Sequence, residues 1–336
     1  YICVSQIFIN QPMCCAVNHN TGREYEGDII ARSSERKDIL VIGGGPGGME
    51  AARMLALKGH SVRLWEREKD LGGTARVAAL AYEPNEGLIR YLANAVHTLP
   101  VDIELGKVAE YQSIAAAGAD HVIIATGARR EAPEIPGKEQ RHVFDGDELR
   151  GVLFGNNPAA IAKLSMFQRL VLWAGRLTGL LRHIGPMRQL SKLWMPIAGE
   201  VVIIGGGLVG LELAEYLVER GRKITLLEPG PSLGAELAIV RRARVLHLLR
   251  KAGVAIHREA SIVDIGTDYV EYEHKGERKR APGKQVIIAR GAEADDSMSA
   301  QLADLDAQVH RLGDCRDVGY IDGAILDARR VVEAIA

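Results

Sequence analysis

At 336 residues the chain is long enough for two or three domains with full cores. Its 47% apolar and 25% charged residues exclude a disordered or fibrous class, and a net charge of −1 gives no electrostatic case for nucleic acid. No run is long and apolar enough to span a bilayer and no secretory leader is visible, which sets the expectation of a cytoplasmic protein.

The chain opens on Tyr1 rather than Met and reads as a possible fragment. Residues 1–35 are irregular and carry Cys3, Cys14 and Cys15, three of the four cysteines. Without a leader, metal or redox chemistry suits them better than structural disulfides. The plain alternative is two buried thiols and a chance doublet, since an iron–sulfur cluster usually takes four cysteines. Ile39-Leu40-Val41-Ile42 is a short, wholly apolar strand of the kind buried in a parallel sheet. The glycine turn 43–48 follows, then a helix over about Gly47–Leu57 and a strand over Ser61–Glu66. Residues 85–99 read as a helix, His121–Ala125 as a strand ending in Ala125-Thr126-Gly127-Ala128, and 129–137 as a crossing loop.

Residues 150–198 hold Arg150, Lys163, Arg169, Arg176, Arg182, Arg188 and Lys192, and no acid. Apolar residues including Trp173 and Trp194 fill the intervals, and the cations recur on roughly one helical face. Such a segment could lie on an anionic membrane surface or grip an acidic partner; the plainer reading is a helical insertion with solvated cations. A second strand–turn–helix–strand unit spans 201–228. Arg241–Gly253 reads as a helix and 254–280 as a meander with a charged turn at Lys275–Arg280. Gln285–Ala289 is a strand ending in an echo of 125–128 at 289–292; His310–Asp314 is a last strand end, and a helix follows from about Asp322.

The two strand–turn–helix units are one device written twice. In each copy an acid, Glu66 or Glu228, lies 23 positions after the first glycine, and a further glycine, Gly59 or Gly221, lies 16 after it. Gly43 permits the sharp turn, Gly45 lets the backbone approach a pyrophosphate, and Gly48 lets the helix pack on the strand. The helix N-terminus offers free N–H groups to phosphate, and Glu66 can accept the ribose hydroxyls. Gly205, Gly207, Gly210 and Glu228 repeat these roles. A carboxylate at 228, followed by Pro229, Gly230 and Pro231 with no cation, favours NADH over NADPH. Asp314, at a strand end before a helix, suits either a flavin's ribityl hydroxyl or a helix cap. Two dinucleotides in one chain suit electron transfer between cofactors. The nucleotide domains carry no Cys-x-x-Cys pair, which disfavours a flavin disulfide reductase, and no HExxH, Walker lysine or nucleophile elbow.

Gly43–Gly48 with Glu66, Leu71-Gly72-Gly73, Ile124–Ala128, Gly205–Gly210 and Leu312-Gly313-Asp314 together resemble the flavoprotein pattern of two dinucleotide folds. Cys3 and Cys15, with Ala16-Val17-Asn18 and Gly22-Arg23-Glu24, narrow it to the NADH:flavin oxidoreductases of the 2,4-dienoyl-CoA reductase and trimethylamine dehydrogenase group. That resemblance implies an α/β fold of two Rossmann-like domains, an FAD domain with an NAD domain inserted, behind an FMN-binding TIM barrel and a [4Fe–4S] segment. It assigns 1–35 to part of the iron–sulfur segment, 36–149 and 291–336 to the FAD domain, and 199–290 to the NAD(H) domain. It gives 150–198, a basic amphipathic insertion, no role. Gly43, Gly45, Gly48, Glu66, Gly73, Gly127, Gly313 and Asp314 would hold FAD. Gly205, Gly207, Gly210 and Glu228 would hold NADH, and Cys3 and Cys15 match the last two cluster cysteines. Electrons would run from NAD(P)H through FAD and the cluster to FMN and an enoate or enoyl-CoA substrate. No residue of this chain is named as catalytic. The alternatives are a stand-alone reductase of the ferredoxin-reductase kind and a non-catalytic nucleotide-binding redox sensor.

Overall fold

The computed structural model describes residues 2–27, 29–130, 132–290 and 292–335. Tyr1 and Gly291, the latter part of the 289–292 echo, lie outside the described residues. The chain divides into two compact units. One comprises Ile2–Ala79, Glu83–Arg129 and Ala292–Ala336, and the other Leu80–Tyr82 and Arg130–Gly291. Each is an α/β unit built on a parallel sheet. Among the described residues no helix is long and apolar enough to cross a membrane.

The first unit holds a five-stranded sheet in the order Gln308–Arg311, His121–Ile124, Asp38–Ile42, Ser61–Glu66, Val101–Leu105. All four pairings are parallel. Ile39–Ile42 is the central strand, and its apolar run is buried because helices cover both faces of such a sheet. Helix Pro46–Leu57 starts with Pro46, whose missing N–H costs nothing in the first turn. It buries Met49, Ala52 and Leu55 against Ile325, Ala328 and Val332 of the terminal helix Tyr320–Ala334. Lys58 ties the end of helix Pro46–Leu57 to the end of the terminal helix, donating to the Ile335 carbonyl at 3.0 Å.

The second unit repeats the plan. Its sheet runs Val143–Asp145, Gln285–Ile288, Glu200–Ile204, Lys223–Glu228, Ala255–Arg258, again all parallel. The main body of this unit begins at Arg130, where the sequence suggested a 149–150 junction, because Val143–Asp145 supplies an edge strand here. The expected meander starts later, at Ser261, and runs on to Pro282. Ala255–Arg258 joins the parallel sheet beside Lys223–Glu228, and only Ser261–Ile265, Tyr269–His274 and Glu277–Pro282 form an antiparallel sheet. The charged turn contracts to Lys275-Gly276, both at positive φ. Residues 277–280 look turn-like in sequence because they are an exposed edge strand. Arg278 and Arg280 both pair with Glu271 on the neighbouring strand, and such charge blunts an edge.

The basic segment is helical but broken. Helices Gly146–Phe154, Pro158–Ala162, Met166–Leu177 and Ile184–Leu193 are separated by Gly155 and Gly179 in the left-handed region and by Pro158. Asp145 with Glu148 and Ser165 with Gln168 form reciprocal caps that start two of them. No single face therefore carries all seven cations. Lys163 donates to the Val143 carbonyl at 2.8 Å and pairs with Glu148 at 2.6 Å. Arg169 donates to the Leu164 carbonyl at 3.0 Å, and Arg176 reaches the Val152 carbonyl. Arg169 and Arg176 thus satisfy carbonyls at or just past helix C-termini, and Lys163 one on the edge strand Val143–Asp145.

Candidate functional site

The glycine turns sit where the central strand of each sheet ends, and their geometry is duplicated nearly atom for atom. Gly43 has φ +113° and Gly205 φ +114°, a conformation that glycine adopts without strain. Their N–H groups donate to the Trp65 and Leu227 carbonyls, both at 2.8 Å. A Cβ on Gly48 would lie 2.0 Å from the Gly43 carbonyl oxygen, and one on Gly210 would lie 1.8 Å from that of Gly205. The helix can press on the turn only because both positions lack a side chain.

The acids repeat as closely. Glu66 Oε2 accepts from Gly44 N–H at 2.7 Å and Oε1 from Glu68 N–H at 2.8 Å. Glu228 Oε2 accepts from Gly206 N–H at 2.6 Å and Oε1 from Gly230 N–H at 2.5 Å. Each carboxylate oxygen has a second lone pair, so both acids stay able to accept from a ligand hydroxyl. The next turn closes back in both copies, with Gly72 N–H on the Gly44 carbonyl and Gly234 N–H on that of Gly206, each at 2.8 Å. Leu71 and Leu233 pack on Gly44 and Gly206.

The two helix N-termini differ. A Cβ on Gly45 would meet nothing within 4 Å, so the first turn faces open space, and Gly73 approaches Gly45 from the facing loop. In the second copy Glu236 Oε2 accepts from Leu208 N–H at 3.2 Å and its carboxylate lies against Gly207. An internal carboxylate thus occupies the position that a helix N-terminus offers to phosphate. The first cradle fits a dinucleotide as it stands, and the second fits one once the exposed Glu236 side chain swings aside.

Gly127 follows strand His121–Ile124 at φ +82° with nothing near its Cβ position. Gly313 N–H donates to Asp327 Oδ2 at 2.9 Å. Asp314 Oδ1 accepts from Gly319 and Tyr320 N–H at 3.1 and 2.9 Å, so it caps the terminal helix. Burial pushes the Asp327 carboxyl up, but hydrogen bonds from Arg316, Arg330 and Gly313 N–H outweigh it and hold the group below its ordinary value. Glu50 is fully buried and accepts from His19 at 2.8 Å and from Arg53 at 2.7 and 2.8 Å. Burial again opposes ionisation there, and the Arg53 and His19 hydrogen bonds prevail. On helix Leu208–Val218, Glu212 is pushed up by burial, with Arg241 opposing and Glu215 adding to the rise.

Arg258 lies directly across the ladder from Glu228 and donates to the Pro231 carbonyl at 3.2 Å. The register sets an arginine on the strand beside the second acid, a neighbour that no local spacing reveals. Sequence reasoning misses Asp327, Glu50, Glu236 and Arg258, because each acts through a partner distant in sequence or through a cap.

Cys3 lies on helix Ile2–Phe8, Cys15 Sγ accepts from Val17 N–H at 3.4 Å, and the Gln6 amide reaches the buried Cys14 at 3.6 Å. Burial pushes the Cys14 thiol up; the Gln6 hydrogen bond opposes, and the charges of Asp322, Cys15 and Cys3 add to the rise. Among the described residues no group of three or more His, Cys, Asp or Glu is arranged to hold a metal. Cys3 and Cys15 are by themselves too few to enclose an iron–sulfur cluster, which usually takes four cysteines. Cys315 is buried, and its S–H is within reach of the Ile124 and Leu312 carbonyls. Burial raises its pKa too, which makes it a packing residue rather than a reactive thiol.

Residues 37–313 match the pyridine nucleotide-disulphide oxidoreductase family. The chain is 32% identical over 94% of its length to a bilirubin reductase of Mediterraneibacter gnavus, of which it covers 43%. It is 29% identical over 95% of its length to an NADH oxidase of Thermoanaerobacter brockii, of which it covers 44%. Among solved structures, a 2-naphthoyl-CoA reductase in complex with 2-naphthoyl-CoA superposes with a TM-score of 0.80 at 25% identity, over 99% of this chain and 45% of that one. The chain spans just under half the length of these relatives.

Proposed function

The chain belongs to the pyridine nucleotide-disulphide oxidoreductase family, and on that premise we propose that it is the electron-input half of a flavin-dependent reductase, binding FAD in the first unit and NADH in the second. The observation that carries this reading is the duplicated cradle: two glycine turns, each with a buried or half-buried acid hydrogen-bonded to the turn's own N–H. Bound together, the cofactors would supply hydride transfer from nicotinamide to flavin.

The chain's own residues do the placing. Gly45 and Gly73 leave room for a pyrophosphate at the N-terminus of helix Pro46–Leu57, and Glu66 is positioned to accept ribose hydroxyls. Gly207 and Glu228 take the same parts for the nicotinamide nucleotide, with Glu236 vacating the phosphate position. Gly43, Gly48, Gly205 and Gly210 set the turns. Gly127, Gly313 and Asp314 border the FAD cradle at the same ends of the sheet strands. The hydride step needs no acid or base from this chain, and none is assigned.

The relatives are about twice as long, which supports a whole protein in which a further domain would carry FMN and supply the remaining ligands of a [4Fe–4S] cluster beside Cys3 and Cys15. Ile7, Phe8 and Ile9, exposed beside the cysteines, would be covered by such a domain. The names bilirubin reductase and 2-naphthoyl-CoA reductase favour a conjugated, unsaturated small molecule, of the enoate or enoyl-CoA kind, as final acceptor. A cytoplasmic location belongs to the same reading.

The test is anaerobic. Protein reconstituted with FAD should lose its oxidised flavin absorbance on adding NADH, and a Glu66→Ala variant should retain less FAD. Retention of FAD with no bleaching by either nicotinamide nucleotide would leave a binding protein rather than a reductase.

A further inference from the structure

An ordinary surface helix turns its apolar stripe toward the core. Helix Met166–Leu177 does the reverse: Leu172 is its buried residue. Met166, Phe167, Leu170, Trp173 and Leu177 are 58% to 85% exposed. At 100° per residue, Met166, Leu170, Trp173 and Leu177 form one stripe, with Phe167 at its border. Phe167 meets Trp194 edge-on at 6.1 Å, which joins the stripe to Leu193, itself 86% exposed. Large exposed apolar patches of this kind mark interaction surfaces.

The charge around the patch selects its occupant. Residues 150–198 carry seven Lys/Arg and no acid, although the chain as a whole has a net charge of only −1. Arg169 and Arg176 lie along one border of the stripe, and their guanidinium groups stay charged while their N–H donors hold the Leu164 and Val152 carbonyls. Lys192 is exposed beside Leu193. A protein groove would suit the apolar stripe alone. An apolar stripe of Phe, Trp and Leu flanked by the exposed Arg169 and Lys192 suits the headgroup–acyl boundary of an anionic bilayer, where the aromatic rings sit at headgroup level and a cation gains from the surface potential.

We propose that helix Met166–Leu177, with Leu193, is a peripheral docking surface for anionic phospholipid, lying in the plane of the interface. The proposal is independent of the flavin chemistry.

Flotation of the full chain with vesicles tests it. Phosphatidylcholine vesicles containing phosphatidylglycerol should carry the protein at least about tenfold better than phosphatidylcholine alone, and raised salt should release it. The triple variant Phe167→Ser, Trp173→Ser, Leu177→Ser changes exposed positions only; it should keep its melting temperature and lose flotation. Tryptophan emission should shift to the blue on vesicle binding in wild type, and the shift should shrink in Trp173→Phe. Three results would each overturn the proposal. They are no binding to either vesicle, equal salt-insensitive binding to both, and a wild type whose patch is consumed by self-association that the triple variant abolishes.

Discussion

Replacing Gly210 by alanine would put a Cβ 1.8 Å from the Gly205 carbonyl oxygen, against 3.4–4 Å for ordinary contact. The missing clearance is more than an ångström and a half, and backbone lies on both sides of it. Relief requires helix Leu208–Val218 to move off strand Glu200–Ile204, carrying the N-terminal N–H groups away from the phosphate position. Overpacking of this sort costs about 1–3 kcal/mol, which is about fivefold to about 150-fold in an equilibrium constant. Steady-state reduction of the reconstituted flavoprotein should show KM for NADH raised within that range, with FAD content unchanged. Gly48→Ala, whose Cβ would lie 2.0 Å from the Gly43 oxygen, should do the converse and release FAD. Gly87→Ala is the control. It sits exposed in helix Pro84–Thr98 with nothing within 4 Å, and should be neutral or stabilising. An unaltered KM in Gly210→Ala, or FAD loss from that variant in place of Gly48→Ala, would refute the assignment of one cradle to each cofactor.

Other consequences follow from single side chains. Glu236→Gln removes a charge from a helix N-terminus, a site where an anion gains about 0.3–1 kcal/mol; NADH, no longer competing with it, should bind about two- to fivefold more tightly by titration, and weaker binding would contradict the reading. Glu228 should make NADH preferred over NADPH in kcat/KM. Arg258→Ala, which removes the cation set opposite Glu228 by strand register, should widen that preference, and an unchanged or narrower one would show that Arg258 does not offset the acid. Asp327 is held below its ordinary pKa, so its contribution to stability is present above the unfolded value near 3.9 and lost as pH falls through the lower folded value. Thermal melts from neutral to acid pH should show Asp327→Asn less stable at neutrality and converging on wild type in acid; parallel curves would exclude the carboxylate as the source.

Both nucleotide units are legible in the sequence because their signals are local. Buried parallel strands are short apolar runs, the turn conformations need glycine at Gly43 and Gly205, and the acid recurs at a fixed distance. The limits of the strand at 61–66 and the end of its counterpart at 228 follow from the same pattern. The hydrogen bonds from Gly44 and Gly206 to those acids are not legible, since they depend on how each turn closes. Nor is Arg258, which is set opposite Glu228 by strand register rather than by sequence distance. The 277–282 strand reads in part as a turn because an edge strand dressed in charge lacks the alternation that marks a half-buried one. In the basic segment periodicity misleads in a second way. Evenly spaced cations suggest one face, but Gly155, Pro158 and Gly179 split the run, and several cations turn inward to cap carbonyls.

Whether the chain holds two nucleotides in two cradles is decided by the stoichiometry of binding at equilibrium, with FAD and NAD⁺ titrated separately and then together. One FAD and one NAD⁺ per chain should bind at once, with Glu66→Ala impairing only the first and Glu228→Ala only the second. A single shared site, in which each nucleotide displaces the other, would contradict the assignment.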